Sequence, residues 1–258
     1  MVRPKKYLGQ HFLKNREIAK DIVEALTGHM QYDTLVEVGP GTGILTGFLL
    51  EKSTKLVLVE IDRDSVDYLK KNYDLEKGQL LNVDFLQLDL KAVDNSGMGI
   101  IGNFPYNISS QLFFKIIENH TLVREVVCMV QDEVARRISS AKGHKTYGIL
   151  SVFLQAYYDI EYLFQVPPEV FFPPPKVNSG VIRLKRNNVV ELPCNTKLFK
   201  SVVKQGFQNR RKTLRNALKP LNLPAGLNEH VFMSKRAEQL GPEEFIELTN
   251  IIEELWNK

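Results

Sequence analysis

Residues 35–43 read LVEVGPGTG, a short apolar run that passes directly into a turn with three glycines. An apolar run of this length that ends at glycine is typical of a strand buried on both faces of a parallel sheet. Residues 44–50 then carry an apolar helical pattern. The stretch therefore predicts a strand, a tight turn and a helix, in that order.

The same alternation continues toward the middle of the chain. Further apolar strands are predicted at 56–61, 80–84, 98–103 and 126–130, with helical patterns at 64–72 and 109–118. Short strands separated by helices form βαβ units, whose parallel strands make a sheet with helices on both faces. The sequence therefore predicts an α/β fold with a mostly parallel sheet.

The chain changes character after residue 141. Residues 148–157 are helix-like, and 160–166 and 180–184 are predicted strands. The proline-rich segment 166–175 between them predicts a stiff loop without regular structure, because proline lacks a backbone donor. From residue 196 the pattern is helical, so we expect an α/β domain over 1–186 and a small all-α domain over 196–258.

The net charge of +4 hides an uneven distribution. Residues 1–16 carry +5 and residues 197–220 carry +8, neither with an acidic residue, which leaves −9 for the rest of the chain. Clustered Lys and Arg side chains create a local positive field that the total conceals. Both basic segments, the N-terminal arm 1–16 and the helical tail, therefore predict a polyanionic partner.

Several classes of protein are disfavoured. With 43% apolar and 25% charged residues, the chain has the composition of an ordinary globular protein. No run reaches the ~20 apolar residues of a membrane helix, and the basic N-terminus lacks the apolar core of a signal peptide. Cys128, Cys194 and five scattered His form no metal pattern. We expect a cytoplasmic protein with no metal and no membrane partner.

Three features predict a nucleoside cofactor at the ends of the first strands. The Gly-x-Gly-x-Gly turn lets a ligand approach the backbone, and Glu60 lies 21 residues beyond Gly39, where an acid binds ribose hydroxyls. Asp84 closes the third strand beside the same crevice, where it would accept from an adenine amino group. The spacing does not match the NAD fingerprint, which disfavours an NAD oxidoreductase.

Residues 103–106, Asn-Phe-Pro-Tyr, follow the fourth strand into this crevice. They combine an amide, a rigid proline and an aromatic face, the groups that hold a planar base with an amino group. Acceptance of the two amino hydrogens by the Asn103 side-chain oxygen and by the Phe104 carbonyl would turn the nitrogen lone pair toward an electrophile. Such catalysis rests on positioning and electrostatics, without a metal or a strong base. A simple Asx turn with a packed tyrosine is the alternative.

Taken together, six ordered motifs resemble the ribosomal RNA adenine dimethyltransferases of the KsgA type, which modify small-subunit rRNA. The resemblance covers nearly the whole chain. The motifs begin at residues 9, 36, 60, 103, 171 and 207 and read GQHFL, VEVGPGTG, EID, NFPY, FFPPPKVNS and FQNRRKTL.

The resemblance implies a Rossmann-like class I methyltransferase domain with a seven-stranded sheet and S-adenosylmethionine as cofactor. The implied reaction is dimethylation of two adjacent adenosines in a 3'-terminal hairpin loop of small-subunit (16S) rRNA, coupled to subunit biogenesis. The implied catalytic residues are Asn103, Phe104, Pro105, Tyr106 and Phe171, with Tyr106 and Phe171 stacking on the base and Phe172 a weaker candidate. The implied cofactor residues are His11, Leu13, Gly39, Gly41, Glu60, Asp84 and Asn103.

The helical tail supplies the expected RNA contacts. Eight cations without an acid in residues 197–220 favour phosphate binding, and Arg211 and Arg215 would face the same way if they share a helix. The partner is then the small ribosomal subunit and its rRNA, bound by a monomer. The predicted RNA-binding residues are Lys204, Arg210, Arg211, Lys212 and Arg215.

Three residues depart from the family pattern: His11 replaces Asn, Phe104 replaces Leu, and Asp132 reverses a charge near a possible RNA face. Two alternatives remain open. The first alternative to small-subunit dimethylation is an Erm-type enzyme acting on large-subunit rRNA, and the second is a mainly non-catalytic ribosome assembly factor.

Overall fold

The computed structural model describes residues 2–52 and 55–256, in two compact units. The first unit comprises Met1–Arg136 with Asp159–Asn187, and the second comprises Arg137–Tyr158 with Asn188–Lys258. Residues 1, 257 and 258 of the predicted domains lie outside the described residues. The division differs from the predicted one, since the segment that ends at Tyr158 clusters with the C-terminal helices.

Nine strands are described, and seven of them form one sheet in the first unit. The order in this sheet is β4-β3-β2-β5-β6-β9-β7. The strands β4, β3, β2, β5 and β6 are parallel to one another, and β9 runs antiparallel to β6. The strands are β1 Phe12–Leu13, β2 Thr34–Val38, β3 Lys55–Val59, β4 Leu80–Leu81, β5 Met98–Asn103, β6 Val123–Gln131, β7 Tyr158–Val166, β8 Phe171–Phe172 and β9 Ser179–Arg186.

Ten α-helices connect and follow these strands within the described residues. Side-chain caps fix several helix starts, as where Asn15 accepts from the Ile18 amide at 3.0 Å. The helices are α1 Arg16–Glu24, α2 Thr46–Leu49, α3 Arg63–Asn72, α4 Leu90–Val93, α5 Ser109–Glu118, α6 Asp132–Ser139, α7 Ile149–Gln155, α8 Thr196–Gln208, α9 Leu214–Ala217 and α10 Pro242–Trp256.

The predicted mostly parallel sheet is confirmed. All five residues of β2 are buried, as a strand at the centre of a covered sheet requires. The strand order reverses between β2 and β5, because β3 and β4 lie on one side of this pair and β6 lies on the other. Open α/β sheets bind ligands at such a reversal, outside the carboxyl ends of the strands.

The proline-rich segment contains more regular structure than predicted. A 3-10 helix spans Pro168–Val170, and β8 follows it, paired antiparallel with β1. The prediction of an irregular loop is wrong here because the prolines avoid the positions that need a donor. Pro168 opens its helix, where no amide partner exists, and Pro173 follows the strand.

The second unit is helical. Helix α8 packs against α7 and α10, which explains why α7 clusters with this unit. Phe199 on α8 is buried against Phe153 on α7, with ring centroids 5.9 Å apart. Between α9 and α10 the chain forms short 3-10 helices, the first of which contains Pro220 and the second of which follows Pro224. No helix in the described ranges is long and apolar enough to span a membrane.

Candidate active site

A cavity of about 300 Å³ opens at the strand-order reversal of the first unit. Its walls include the last residues of β2, β3 and β5 together with the N-terminal arm. Nine of the predicted site residues line it: His11, Gly39, Gly41, Glu60, Asp84, Asn103, Phe104, Pro105 and Tyr106. The chain thus gathers both predicted sets, the cofactor residues and the Asn-Phe-Pro-Tyr motif, around one space.

The glycine-rich turn forms one wall of this cavity through its backbone. Gly39 and Gly41 both have positive φ angles, +68° and +58°, which side chains rarely adopt. The Gly41 amide donates to Glu60 Oε2 at 2.9 Å. Behind the turn, the Tyr73 hydroxyl donates to the Gly43 carbonyl at 2.7 Å. Tyr73 was not predicted, since nothing in the sequence around it marks a contact with a turn thirty residues away.

Glu60 is held in place by two backbone amides. Its Oε1 accepts from the Asp62 amide at 2.8 Å, and its other oxygen accepts from Gly41. The side chain is only 4% exposed, and this burial raises the pKa of Glu60 above its ordinary value even though both amides act against the rise. Each oxygen keeps a second lone pair, so the carboxylate is fixed and still able to accept from a ligand.

Asp84 lines the same cavity as Glu60. Its Oδ1 accepts from the Leu86 amide at 2.9 Å, which orients the carboxylate. Ile61 and Val83 also line the cavity, and both are unusually exposed for apolar residues, at 50% and 40%. The sequence pattern predicts these two residues only as parts of strands. It does not predict that their exposed apolar side chains line the cavity, where they suit a flat ring.

These residues fit a nucleoside-containing cofactor. A Cβ at Gly39 would meet no protein atom within 4 Å, so the turn leaves open space along its backbone. Two carboxylates with remaining acceptor capacity suit hydroxyl and amino donors, and the apolar faces of Ile61 and Val83 suit a base. No group of three or more His, Cys, Asp or Glu arranged for a metal ion occurs among the described residues.

The amide of Asn103 is oriented by the N-terminal arm. Asn103 Nδ2 donates to the His11 carbonyl at 2.9 Å, and His11 Nδ1 lies 2.7 Å from the Pro173 carbonyl. Since a carbonyl only accepts, the amide nitrogen of Asn103 must face His11, and His11 carries its proton on Nδ1. The side-chain oxygen of Asn103 is therefore the group turned away from the arm.

Tyr106 has its ring and its hydroxyl engaged on different sides. The ring stacks on His11 with centroids 5.5 Å apart and planes at 27°. The hydroxyl lies 2.5 Å from Ser179 Oγ, and Ser179 is fully buried at the start of β9. His11, in which the sequence departs from the family, thus contacts both Asn103 and Tyr106.

Two predicted site residues do not line the cavity. Phe171 is 1% exposed and belongs with Leu13 to the hydrophobic core of the first unit. The pairing of β1 with β8 explains this placement, because Leu13 lies opposite Phe171 and successive side chains of a strand point to opposite faces. Phe172 is the half-exposed ring instead, at 50%. The structure therefore differs from the prediction that Phe171 stacks on a base.

The predicted RNA-binding residues lie in the second unit and fall into two groups. Lys204, Arg211, Lys212 and Arg215 are exposed, whereas Arg210 is half-buried. Arg210 Nε pairs with Glu238 Oε2 at 2.7 Å, and its guanidinium also donates to the Lys145 carbonyl. Arg210 and Arg211 lie in the turn after α8 and Arg215 lies on α9, so they share no helix.

Asp132, the charge reversal noted in the sequence, has local partners. Tyr162 donates to its Oδ1 at 2.6 Å, and Arg136 Nε lies 2.7 Å from its Oδ2. Burial opposes this ionisation, but the hydrogen bonds from Tyr162 and Arg136 outweigh it and lower the pKa of Asp132. The reversed charge is thus compensated within the fold.

Comparison with known proteins decides the family. The family model described as ribosomal RNA adenine dimethylase matches residues 1–254. The chain belongs to the ribosomal RNA adenine dimethylase family. It is 52% identical over 252 residues to the ribosomal RNA small subunit methyltransferase A of Cytophaga hutchinsonii, covering 97% of this chain and 98% of the relative.

Two solved structures place this dimethylase among known folds. A dimethyladenosine transferase from Plasmodium falciparum superposes with a TM-score of 0.80 at 26% identity, over 95% of this chain and 98% of that chain. The 23S rRNA methyltransferase ErmE superposes with a TM-score of 0.64 at 22% identity, over 93% of this chain and 99% of that chain, a likeness of fold alone. The predicted class I methyltransferase fold is confirmed.

Family membership also settles the type of reaction. The dimethylase transfers methyl groups to ribosomal RNA with S-adenosylmethionine as the donor. The glycine turn, Glu60 and Asp84 suit the nucleoside part of this cofactor, as their free acceptor positions and open backbone already indicate.

Proposed function

We propose that this dimethylase modifies the exocyclic amino groups of two adjacent adenosines in a 3'-terminal hairpin loop of small-subunit (16S) rRNA during subunit biogenesis. The observation that carries the proposal is the orientation of Asn103, whose amide nitrogen is fixed on the His11 carbonyl at 2.9 Å. This leaves one acceptor oxygen for an amino group at the end of the cavity opposite the carboxylates.

Cofactor binding rests on the residues that line the other end. Glu60 would accept from the ribose hydroxyls, and Asp84 from the adenine amino group, while the backbone of Gly39 and Gly41 lies along the methionine part. His11 closes the cavity from the arm. Leu13 supports the arm from the core, where it lies opposite Phe171 of β8.

Asn103 and Phe104 hold the amine that is to be methylated. S-adenosylmethionine supplies, when bound, an electrophilic methyl group on a positively charged sulfur. Asn103 Oδ1 accepts one amino hydrogen and the Phe104 carbonyl accepts the other, which draws the lone pair out of conjugation with the ring. The Phe104 ring packs on Phe113 with centroids 5.9 Å apart, so its main chain is the part offered to a substrate.

Stacking completes the base site. Tyr106 offers an aromatic face whose orientation is set by His11 and Ser179, and Pro105 fixes the chain between Phe104 and Tyr106. Enzymes that act on a base hold the extruded nucleotide between such groups. Phe171 would then support the site from the core. After transfer the nitrogen would lose a proton to water, and the monomethylated amine would keep one hydrogen for one of the two acceptors. A second transfer would then need a fresh molecule of the methyl donor.

RNA affinity is assigned to the second unit. Lys204, Arg211, Lys212 and Arg215 are exposed and would contact phosphates, whereas Arg210 is committed to Glu238. We expect Arg211→Ala to weaken binding to small subunits by about two- to fivefold at low salt and to flatten its salt dependence, because each phosphate contact releases counterions. Arg210→Ala should instead lower the melting temperature. Salt titrations that are parallel for wild type and Arg211→Ala would contradict this assignment.

The proposal favours the small subunit over the large one because of the 52% identity with a small-subunit methyltransferase over nearly the full length. An assembly factor without activity is disfavoured by the intact Asn103 geometry. We further propose that the protein acts as a monomer in the cytoplasm, where its rRNA substrate is found.

Substrate choice is tested with tritiated S-adenosylmethionine and purified subunits that lack the methyl groups. We expect label in small-subunit rRNA and none in large-subunit rRNA. Label confined to large-subunit rRNA would establish the Erm-type alternative, and absence of label from both would favour an assembly factor.

A further inference from the structure

Tyr7 has the most exposed of the large apolar side chains in the described ranges, at 74%. It nevertheless lines the cavity, together with its neighbours Leu8 and Gly9. Tyr7 therefore lies at the rim, where the cavity meets solvent. The mechanism above does not use this ring.

The backbone that carries Tyr7 is held firmly. Lys5 pairs with Asp62 and, at 2.9 Å, with Asp64. Gln10 bonds to both partners of this ion pair: its Oε1 accepts from the Lys5 amide at 2.8 Å, and its Nε2 donates to Asp62 at 3.0 Å. These bonds close a 3-10 turn over Lys6–Leu8 and fix it to the N-terminus of α3.

The turn is also attached to the base-holding loop. Asn107, the residue after Tyr106, donates to the Tyr7 carbonyl at 3.4 Å. Gly9 ends the turn with a φ of +64°, and a Cβ there would lie 2.6 Å from Asn107 Oδ1. The rim position of Tyr7 is thus fixed relative to the loop that holds the target amine.

We propose that the exposed ring of Tyr7 is a stacking platform for the unpaired nucleotide next to the adenosine that enters the cavity. This inference rests on the proposed function. In a loop with two adjacent adenosines, insertion of one removes the stacking partner of its neighbour, which remains outside at the rim. An aromatic ring replaces that partner for any base, since every base has a π-face.

The positive charge of the N-terminal arm also suits a nucleotide stacked on Tyr7. Arg3 and Lys6 are exposed, and the arm has no acidic residue through residue 16. Lys5, in contrast, forms ion pairs with Asp62 and Asp64. An exposed cation that is the sequence neighbour of an exposed ring suits a nucleotide, which presents a phosphate next to a base.

The test compares Tyr7→Ala and Tyr7→Phe with wild type. Tyr68→Ala serves as the control, because Tyr68 is a partly exposed tyrosine on α3 that does not line the cavity. Two quantities are measured on unmethylated small subunits: the dissociation constant by filter binding, and the KM and kcat of methyl transfer. The KM for S-adenosylmethionine is measured in parallel.

We expect Tyr7→Ala to raise the dissociation constant and the KM for subunits about tenfold, the value of a single base stack, with the KM for S-adenosylmethionine unchanged. Tyr7→Phe should match wild type because it keeps the ring. Three results would overturn the inference: subunit affinity unchanged in Tyr7→Ala, equal losses in Tyr7→Ala and Tyr7→Phe, or a matching rise in the KM for the cofactor. Subunit binding that depends on Tyr7 without any methyl transfer would refute the proposed function and leave the stacking intact.

Discussion

The two ends of the cavity are built in different ways. The cofactor end comes mostly from one continuous stretch, residues 35–84, and it offers the backbone of the glycine-rich turn and two carboxylates, those of Glu60 and Asp84. The amine end carries no acidic side chain among the residues that line it, and it brings together segments from three distant parts of the chain. These segments are the arm around His11, the loop 103–107 and the region from β8 to Ser179.

The difference separates binding from catalysis. A local, charged and rigid end suits a cofactor that must bind in every cycle, because its contacts form within one βαβαβ unit. The amine end depends on contacts such as Asn103 to His11, across 92 residues, and Tyr106 to Ser179, across 73 residues. If this separation holds, changes at one end should alter one function and spare the other.

The largest expected effect is at the amine end. We expect Asn103→Ala to lower the rate of methyl transfer at saturating substrates by about 10²–10³-fold, as the loss of one fixed polar group in an active site does. Cofactor affinity should change by less than about tenfold, through loss of the hydrogen bond to His11. Single-turnover transfer and calorimetric titration with S-adenosylmethionine measure the two quantities.

The matched control for this variant is Asn72→Ala, an exposed asparagine on α3 outside the cavity. It should behave as wild type in both measurements. Undiminished transfer by Asn103→Ala would remove Asn103 from catalysis, and equal losses in transfer and cofactor affinity would erase the distinction between the two ends.

The second effect is the converse, at the cofactor end. Asp84→Asn keeps the shape of the side chain and its acceptor for the Leu86 amide, but it replaces a charged acceptor with a neutral amide. We expect the dissociation constant for S-adenosylmethionine to rise about ten- to a hundredfold, with the saturated rate within a fewfold of wild type. Asp89→Asn, at the exposed cap of α4, is the control for calorimetry. A lower saturated rate with unchanged affinity would contradict the assignment of Asp84.

The smallest effect concerns Glu37, an acid of β2 that is fully buried behind the cavity wall and bonded to Thr46. Burial of Glu37 raises its pKa from 4.5 to about 8, and the Thr46 hydroxyl, which donates to it at 2.7 Å, offsets only part of the rise. The folded protein therefore binds this proton more tightly than the unfolded chain. The contribution of Glu37 to the free energy of unfolding is therefore greatest below pH 4.5, and it is lost as the pH rises to about 8.

Urea unfolding across this pH range measures the contribution of Glu37. Relative to Glu37→Gln, the wild-type free energy of unfolding should fall by up to about 1.4 kcal/mol per pH unit between pH 4.5 and about 8. Glu118→Gln, at an exposed acid of α5, should leave the slope unchanged. Parallel curves for wild type and Glu37→Gln would mean that Glu37 is charged in the folded state.

The same contrast explains what the sequence could and could not predict. Gly39, Glu60, Asp84 and Asn103 were predicted because each lies at the end of a strand that the apolar pattern already locates. The placement of Phe171 depends on the register between β1 and β8, which pairs residues about 160 positions apart in the sequence. This register decides which of the two consecutive phenylalanines, Phe171 or Phe172, faces the core. Local patterns carry no such register.

The roles of charged residues showed the same limit. Eight cations within a stretch of 24 residues predict a basic surface, but they do not reveal that Arg210 bonds to Glu238 and to the Lys145 carbonyl. Likewise, the basic arm gave no sign that Lys5 is held by Asp62 and Asp64. Pairing partners distant in sequence decide which cations remain for RNA.

The central claim is that one cavity holds the methyl donor at its charged end and an adenine amino group at Asn103. Mass spectrometry of nucleosides from small subunits treated with the enzyme and S-adenosylmethionine tests it most directly. We predict two adjacent adenosines dimethylated on the exocyclic nitrogen in wild-type reactions, and neither in reactions with Asn103→Ala. Methylation at a ring nitrogen, on a ribose or on another base would contradict the account.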